Sequence, residues 1–379
     1  QANKIMGNWS KRNIFSVLFI IGIASIILGA CKKTEHKDTG TINEPIRAMD
    51  LSFAPLMESY GVSYKDNNKI MPLLQICKNH GINTIRIRLW HSPISNSSSL
   101  NEVLSFAKQC KTAGFKFYLD IHYSDTWADP GKQTLPNAWQ ACTRLSLLDS
   151  VSQYTENVLF QFKNQNCLPE YIQIGNEVNQ GMLLNFGKLS NFNDTNWNYF
   201  KAIQEAAIAK IKTLSPSTKI ILHYAGLQGA YGYYTKAQQM QIPFDLLGIS
   251  YYPWWHGDLT DLKNCIAQLN QFSKPIILAE TAYPFTLNWN DWTNNIVGTS
   301  NQLLPSLPAS ALGQSNFIDS LWKIMNPTNQ NQTYGICYWA PEYVAYKGAQ
   351  DTSASPWENL CLFDFQNNAC IGIKALGGK

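Results

Sequence analysis

From residue 45 onward the apolar positions of this chain follow two alternating rhythms. Short runs rich in Ile, Leu, Tyr and Phe read as strands over 46–53 (IRAMDLSF), 82–90 (INTIRIRLW), 116–123 (KFYLDIHY), 170–178 (EYIQIGNEV), 219–226 (KIILHYAG), 245–253 (DLLGISYYP), 275–281 (PIILAET) and 334–342 (YGICYWAPE). Between them lie helical patterns such as IMPLLQICKNHG (70–81) and LNEVLSFAKQCKTAG (100–114), each closed by a glycine at a C′ position. Strands alternating with helices predict a parallel sheet, and eight such units predict an α/β fold closed as a (β/α)8 TIM barrel. A doubly wound sheet would want a glycine-rich phosphate turn after its first strand, and none is present. No repeat or low-complexity stretch breaks the pattern, so residues 45–379 read as one domain.

Residues 1–30 are patterned differently. A stretch carrying Lys4, Lys11 and Arg12 precedes the apolar run IFSVLFIIGIASIILGA, the layout of a secretory signal. The run is short beside the ~20 residues of a membrane span. Its end, Leu28-Gly29-Ala30-Cys31, resembles a bacterial lipoprotein signal, in which Cys31 becomes the lipidated first residue. The alternative is an uncleaved anchor helix. Residues 31–44 are polar and unpatterned and read as the lipidated start and a flexible tether. An exported lipoprotein of the cell envelope is expected, attached to the outer membrane by its lipid and facing either the periplasm or the outside.

Composition narrows the function classes. The formal charge is +4 and residues 1–30 hold three positive residues and no acid, so about +1 remains without them. Net charge therefore makes no case for a nucleic-acid partner. Eight cysteines follow Cys31, none with CxxC or zinc-finger spacing, and several sit in apolar runs where a buried free thiol is the expected state.

A barrel puts its active site at the carboxyl ends of its strands, and this chain collects polar and aromatic residues there. Strand one ends with Asp50, and strand two carries Arg86, Arg88 and Trp90. Strand three runs into HYSDTWADPG, strand four ends at Asn176-Glu177 and strand five at His223. Strand six ends in SYYPWW, strand seven at Glu280 and strand eight at Trp339. Glu177 and Glu280 would project over one mouth from opposite sides. Two facing carboxylates suit glycoside hydrolysis: ~5–5.5 Å between them means retention, ~6.5–9.5 Å inversion. Spacing along the chain does not by itself separate such a pair from two glutamates in rim ion pairs. The strand-end tryptophans, Trp90, Trp127, Trp254, Trp255 and Trp339, offer flat faces to sugar rings or else pack under the rim loops.

The Asn-Glu ending strand four, with a Glu ending strand seven, looks like the clan A glycoside hydrolases. GINTIRIRLWHSP, LDIHYSDTWADPGKQTLPNAW, QIGNEVNQGMLLNFG, GISYYPWWHG and YWAPE resemble glycoside hydrolase family 53, the endo-β-1,4-galactanases, over nearly all of residues 46–366. The resemblance implies a retaining mechanism with Glu177 as acid/base and Glu280 as nucleophile. Asn176 would hold the sugar 2-hydroxyl, Arg86 would sit beside the nucleophile, and Tyr251 would donate to Glu280. Asp50, Trp90, His122, Asp125, Trp127, His223 and Trp339 would line the cleft, with Arg88 structural. Of the other histidines, His80 is expected to be structural and His91 has no assigned role. The implied substrate is β-1,4-galactan of pectin side chains, cut by a monomer that needs no cofactor.

Strand one departs from the family, which usually has Gly-Ala-Asp there; Met49 would narrow a subsite or repack the core. Some bacterial relatives tie the loops after strands seven and eight with calcium, and Asp291 and Asp351 are hard oxygen donors in those loops. No ligand set follows from spacing alone. Two other readings keep the barrel: another clan A β-glycanase such as a mannanase, which would lose HYSDTWADPGKQ, and a surface glycan-binding lipoprotein without chemistry, which has little reason to keep both glutamates and the strand-two arginine.

Overall fold

All eight predicted strands form, each shorter than its apolar run. They are β1 (Ile46–Asp50), β2 (Thr84–Leu89), β3 (Lys116–Ile121), β4 (Tyr171–Ile174), β5 (Lys219–Ala225), β6 (Leu246–Tyr251), β7 (Ile276–Thr281) and β8 (Gly335–Trp339). The structure is a computed structural model that describes residues 44–184, 186–189, 194–325 and 334–378. The signal segment, Cys31 and nearly all of the tether lie outside the described residues. Among the described residues no helix is long and apolar enough to cross a membrane.

The strands pair in parallel in chain order, and β1 closes on β8, giving a closed barrel. One main helix follows each strand, with short extra helices at Ala54–Ser59 and Pro253–His256 in the loops after β1 and β6: α1 (Leu73–Asn79), α2 (Leu100–Thr112), α3 (Arg144–Asn164), α4 (Asp194–Leu214), α5 (Ala230–Gln239), α6 (Leu259–Leu269), α7 (Ala311–Met325) and α8 (Gly372–Gly377). Local chemistry sets their ends. Ser99 caps α2 through the Glu102 amide, and Thr143 and Asp258 form capping boxes on α3 and α6. Gly81 and Gly114, at φ +87° and +80°, take the left-handed turn after α1 and α2.

Period-two alternation divides the strand residues between two cores. Ile85, Leu119, Ile172, Leu247 and Leu278 face the helices, within one large apolar layer. Ile46, Ala48, Tyr118, Tyr171, Ile221, Leu246, Ile277 and Cys337 fill the barrel interior as a plug. Each fully buried aliphatic side chain of this kind contributes ~1.5–3 kcal/mol. Above the plug the inward positions turn polar: Asp50, Arg86, Asp120, Gln173, His223 and Ser250, all buried. Met49 lies between Ala48 and Asp50 and points outward, its sulfur 3.6 Å from Cys77 Sγ. It repacks the helix layer and leaves the cleft unchanged. The eight described cysteines are free, seven of them buried, as expected of thiols in apolar runs.

Candidate active site

The carboxyl ends of the strands open into a cleft of about 810 Å³, a volume suited to a few sugar rings. Arg86 organises its floor. Its Nη1 donates to Asp50 Oδ2 at 2.7 Å, and its Nη2 lies 2.9 Å from Asp120 Oδ2 and 3.0 Å from Glu280 Oε1. Burial works against the guanidinium charge, but the three carboxylates outweigh it and hold Arg86 charged. Burial alone would raise Asp120 too; Arg86 and then His122 hold it down to about 2. His122 donates Nε2–H to Asp120 at 3.0 Å and accepts the Ala128 amide at Nδ1, and burial lowers its pKa.

Strict alternation along β7 would point Glu280 at the helices, because Ile277 faces inward and Leu278 outward. A register shift places one extra residue, Ala279, opposite the Ile249–Ser250 step, and this bulge turns Glu280 into the cleft. Its Oε2 accepts the Tyr252 hydroxyl at 3.0 Å. Glu177 is aimed differently. Gly175 at φ +82° ends β4, and Glu177 itself takes φ +48°, a conformation rare for a side chain of this size. Gln133 fastens the turn through the Asn176 carbonyl at 2.7 Å. A Glu177 carboxylate oxygen, a Glu280 carboxylate oxygen and a His223 ring nitrogen all lie within 4.8 Å of one another. That places the carboxylates at the short spacing of a covalent mechanism rather than the wide spacing of an inverting one. Both acids are pushed up by burial. Glu177, which Glu280 raises further, has no cation in contact, whereas Glu280 has Arg86 opposing its burial.

Aromatic rings wall the cleft. The Arg88 guanidinium stacks 3.9 Å from the Trp127 ring centre, Trp127 lies 6.1 Å from Trp339, and Trp339 lies 4.4 Å from Trp357. Trp255 is 57% exposed at the rim, while Trp254 packs against the core.

The sequence model of Glycosyl hydrolase family 53 matches residues 46–376. The chain belongs to this family. It is 33% identical to the arabinogalactan endo-beta-1,4-galactanase of Cellvibrio japonicus, an alignment covering 92% of this chain and 94% of that protein. The structure superposes on the Ignisphaera aggregans GH53 catalytic domain with a TM-score of 0.82 at 34% identity, covering 88% of this chain and 95% of that one. A solved fungal beta-1,4-galactanase gives a TM-score of 0.73 at 28% identity, covering 87% and 98%.

In this family 53 chain the cleft brings together Asp50, Arg86, Trp90, His122, Trp127, Asn176, Glu177, Glu280 and Trp339. Three sequence expectations are corrected. Tyr251 points away, donating to the Gly257 carbonyl at 3.1 Å, and the next residue, Tyr252, holds Glu280. Asp125 does not line the cleft; it accepts the Ser92 and Asn137 amides and ties the loops after β2 and β3. His223 lies beneath the floor, fully buried, between Asn176 and Ser250. Arg88, expected to be structural, also lines the cleft behind the tryptophans. Asp120, Gln173, Ser250, Tyr252 and Trp357 were not singled out from sequence. Asp120 and Gln173 carry a readable signal, since each lies two residues from another inward position, Tyr118 or Tyr171.

The loops after β7 and β8 meet through backbone bonds, including Trp292 N–H to Asp351 O at 3.0 Å. The half-buried Asp351 carboxylate is occupied by Ser353. Asp291 Oδ2 and Glu358 Oε2 are instead buried without a hydrogen-bond partner. Burial, with Asp291 adding to it, pushes Glu358 up to about 7. Two adjoining buried carboxylates fit a hard cation better than the pair Asp291 and Asp351 does.

Proposed function

We propose that this glycosidase is a retaining endo-β-1,4-galactanase acting on galactan side chains of pectin. The observation that carries the reading is the approach of the Glu177 and Glu280 carboxylates to within 4.8 Å, with Arg86 and Tyr252 both on Glu280. Glu280, whose ionised form these two donors favour, attacks the anomeric carbon. Glu177 gives its proton to the departing glycosidic oxygen, and a glycosyl ester forms on Glu280. Glu177 then takes a proton from the water that hydrolyses the ester. Asn176 spends one amide hydrogen on the Ala128 carbonyl at 2.8 Å, which leaves its second for the sugar 2-hydroxyl. Trp90, Trp127, Trp339 and Trp357 supply apolar faces for the pyranose rings.

Galactan specificity rests on the galactanases among the relatives and on the HYSDTWADPGKQ string. Calcium on Asp291 and Glu358 would brace the loops after β7 and β8 and takes no part in the chemistry. Export rests on the basic stretch and apolar run of residues 1–30, and anchoring to the outer membrane through Cys31 on the Leu-Gly-Ala-Cys pattern that ends them. The deciding experiment is product chromatography after incubation with linear β-1,4-galactan and, separately, β-1,4-mannan. Short galacto-oligosaccharides from galactan alone are expected. Cleavage of mannan would move the reading to another clan A activity, and galactan bound but uncut would move it to a glycan-binding lipoprotein.

A further inference from the structure

We infer that His223 and Ser250 form a one-way hydrogen-bond relay that holds Glu177 as the carboxylic acid, which makes them positioning residues for the proton-transfer step. The inference rests on the reading of Glu177 as acid/base.

The direction of the relay is set at its far end. Arg86 has only hydrogens to offer, and Gln173 turns its NH2 toward Asp120 Oδ1 at 2.6 Å. Both therefore meet Asn176 at an oxygen, at 3.1 and 2.9 Å, while the Asn176 nitrogen donates to Ala128. His223 Nδ1 lies 3.1 Å from that same oxygen. It must carry a hydrogen, because a bare nitrogen there would set two lone pairs against each other. Burial, and Arg86 after it, hold the His223 pKa well below its usual value, so the ring is neutral and Nε2 is bare.

Nε2 lies 2.9 Å from Ser250 Oγ and takes the hydroxyl hydrogen. Serine has only one to give. Its oxygen faces Glu177 Oε1 at 2.6 Å with lone pairs alone, so the hydrogen in that contact belongs to Glu177. A serine that donated here would favour the carboxylate; this one accepts and favours the acid. The assignment gives up the hydrogen bond that the Glu177 N–H would donate to a bare Nδ1, at 3.4 Å the longest contact of the set. When Glu177 passes its proton to the leaving oxygen, the Ser250 hydroxyl must swing to the new carboxylate and leave Nε2 unpaired. Reprotonation by the incoming water restores the resting arrangement, and no proton is lost from the site.

The test has two arms. In Ser250→Ala the alkaline limb of the kcat/KM profile is expected to move down by about one pH unit, the worth of one hydrogen bond to the acid form. The titratable groups facing Glu177, which are Glu280 on β7, Arg86 on β2, His223 on β5, Asp129 after β3 and Tyr252 after β6, stay in place. A limb that moved up, or stayed, would overturn the relay. In the unaltered enzyme, 15N-histidine NMR should find His223 protonated on Nδ1 and bare at Nε2; the opposite tautomer would overturn it without any appeal to activity. Loss of the acid/base reading shows separately, as failure of azide to rescue Glu177→Ala.

Discussion

Tyr252→Phe removes one hydroxyl from the site and little else. That hydroxyl lies 3.0 Å from Glu280 Oε2 in a buried setting, and burial pushes the phenol pKa so far up that it acts only as a donor. A hydrogen bond to a charged group contributes ~1.5–3 kcal/mol. Glu280 keeps Arg86 at 3.0 Å in the variant, so the lower end applies, and about one pKa unit follows. The donor favours the ionised form, so its removal raises the Glu280 pKa. Burial already places that pKa at about 7. At neutral pH the ionised fraction would fall from about one half to about one tenth, and kcat/KM about fivefold with it.

The assay is kcat/KM on a soluble galactan across the pH range. Its acid limb reports Glu280 in the free enzyme and should move up by about one unit. Tyr251→Phe is the control, since that hydroxyl donates to the Gly257 carbonyl instead; its profile should match the parent's. An unmoved acid limb in Tyr252→Phe, or a moved one in Tyr251→Phe, would refute the assignment of Tyr252 as the partner of the nucleophile.

Glu177→Ala should lose ~10²–10⁴ in kcat on galactan, keep most of its rate on aryl galactosides with good leaving groups, and recover with azide; Glu280→Ala should bind galacto-oligosaccharides on the intact tryptophan wall without cutting them. Gly175→Ala adds a Cβ at φ +82° and 2.7 Å from Val178 Cγ1, so left-handed strain and overpacking together should cost about 2–5 kcal/mol and lower Tm by roughly 4–10 °C. On the alkaline side, activity should fall as Glu177 loses its proton near about 8, a limb that Ser250→Ala displaces downward. Calcium should raise Tm and a chelator lower it, and Glu358→Gln should abolish that response.

The barrel was legible because each of its parts is a local pattern. Apolar runs mark eight strands, glycines at 81 and 114 end helices, and the carboxyl-end rule gathers Asp50, Arg86, Glu177 and Glu280 at one mouth. That Tyr252 and not Tyr251 holds Glu280 has a physical reason. Tyr251 is the last residue of β6 and faces the helix layer, whereas Tyr252 lies beyond the strand, where alternation no longer predicts direction. Asp125 is a similar case, because a loop carboxylate can serve two backbone amides as readily as a sugar.

Glu280 shows how far strand-end reading reaches. Its position at the end of PIILAE was readable, yet alternation from Ile277 would have sent its carboxylate away from the cleft. The extra residue at the Ile249–Ser250 step corrects the aim, and nothing in the apolar pattern of either strand announces it. The same step sets Ser250 opposite Glu280 in the ladder, and Ser250 reaches Glu177 at 2.6 Å. Ser250 itself points inward by ordinary alternation from Leu246, in unbroken register with β5, so a variant that restored regular pairing on β7 would turn Glu280 away from the cleft and leave the Ser250–Glu177 contact in place.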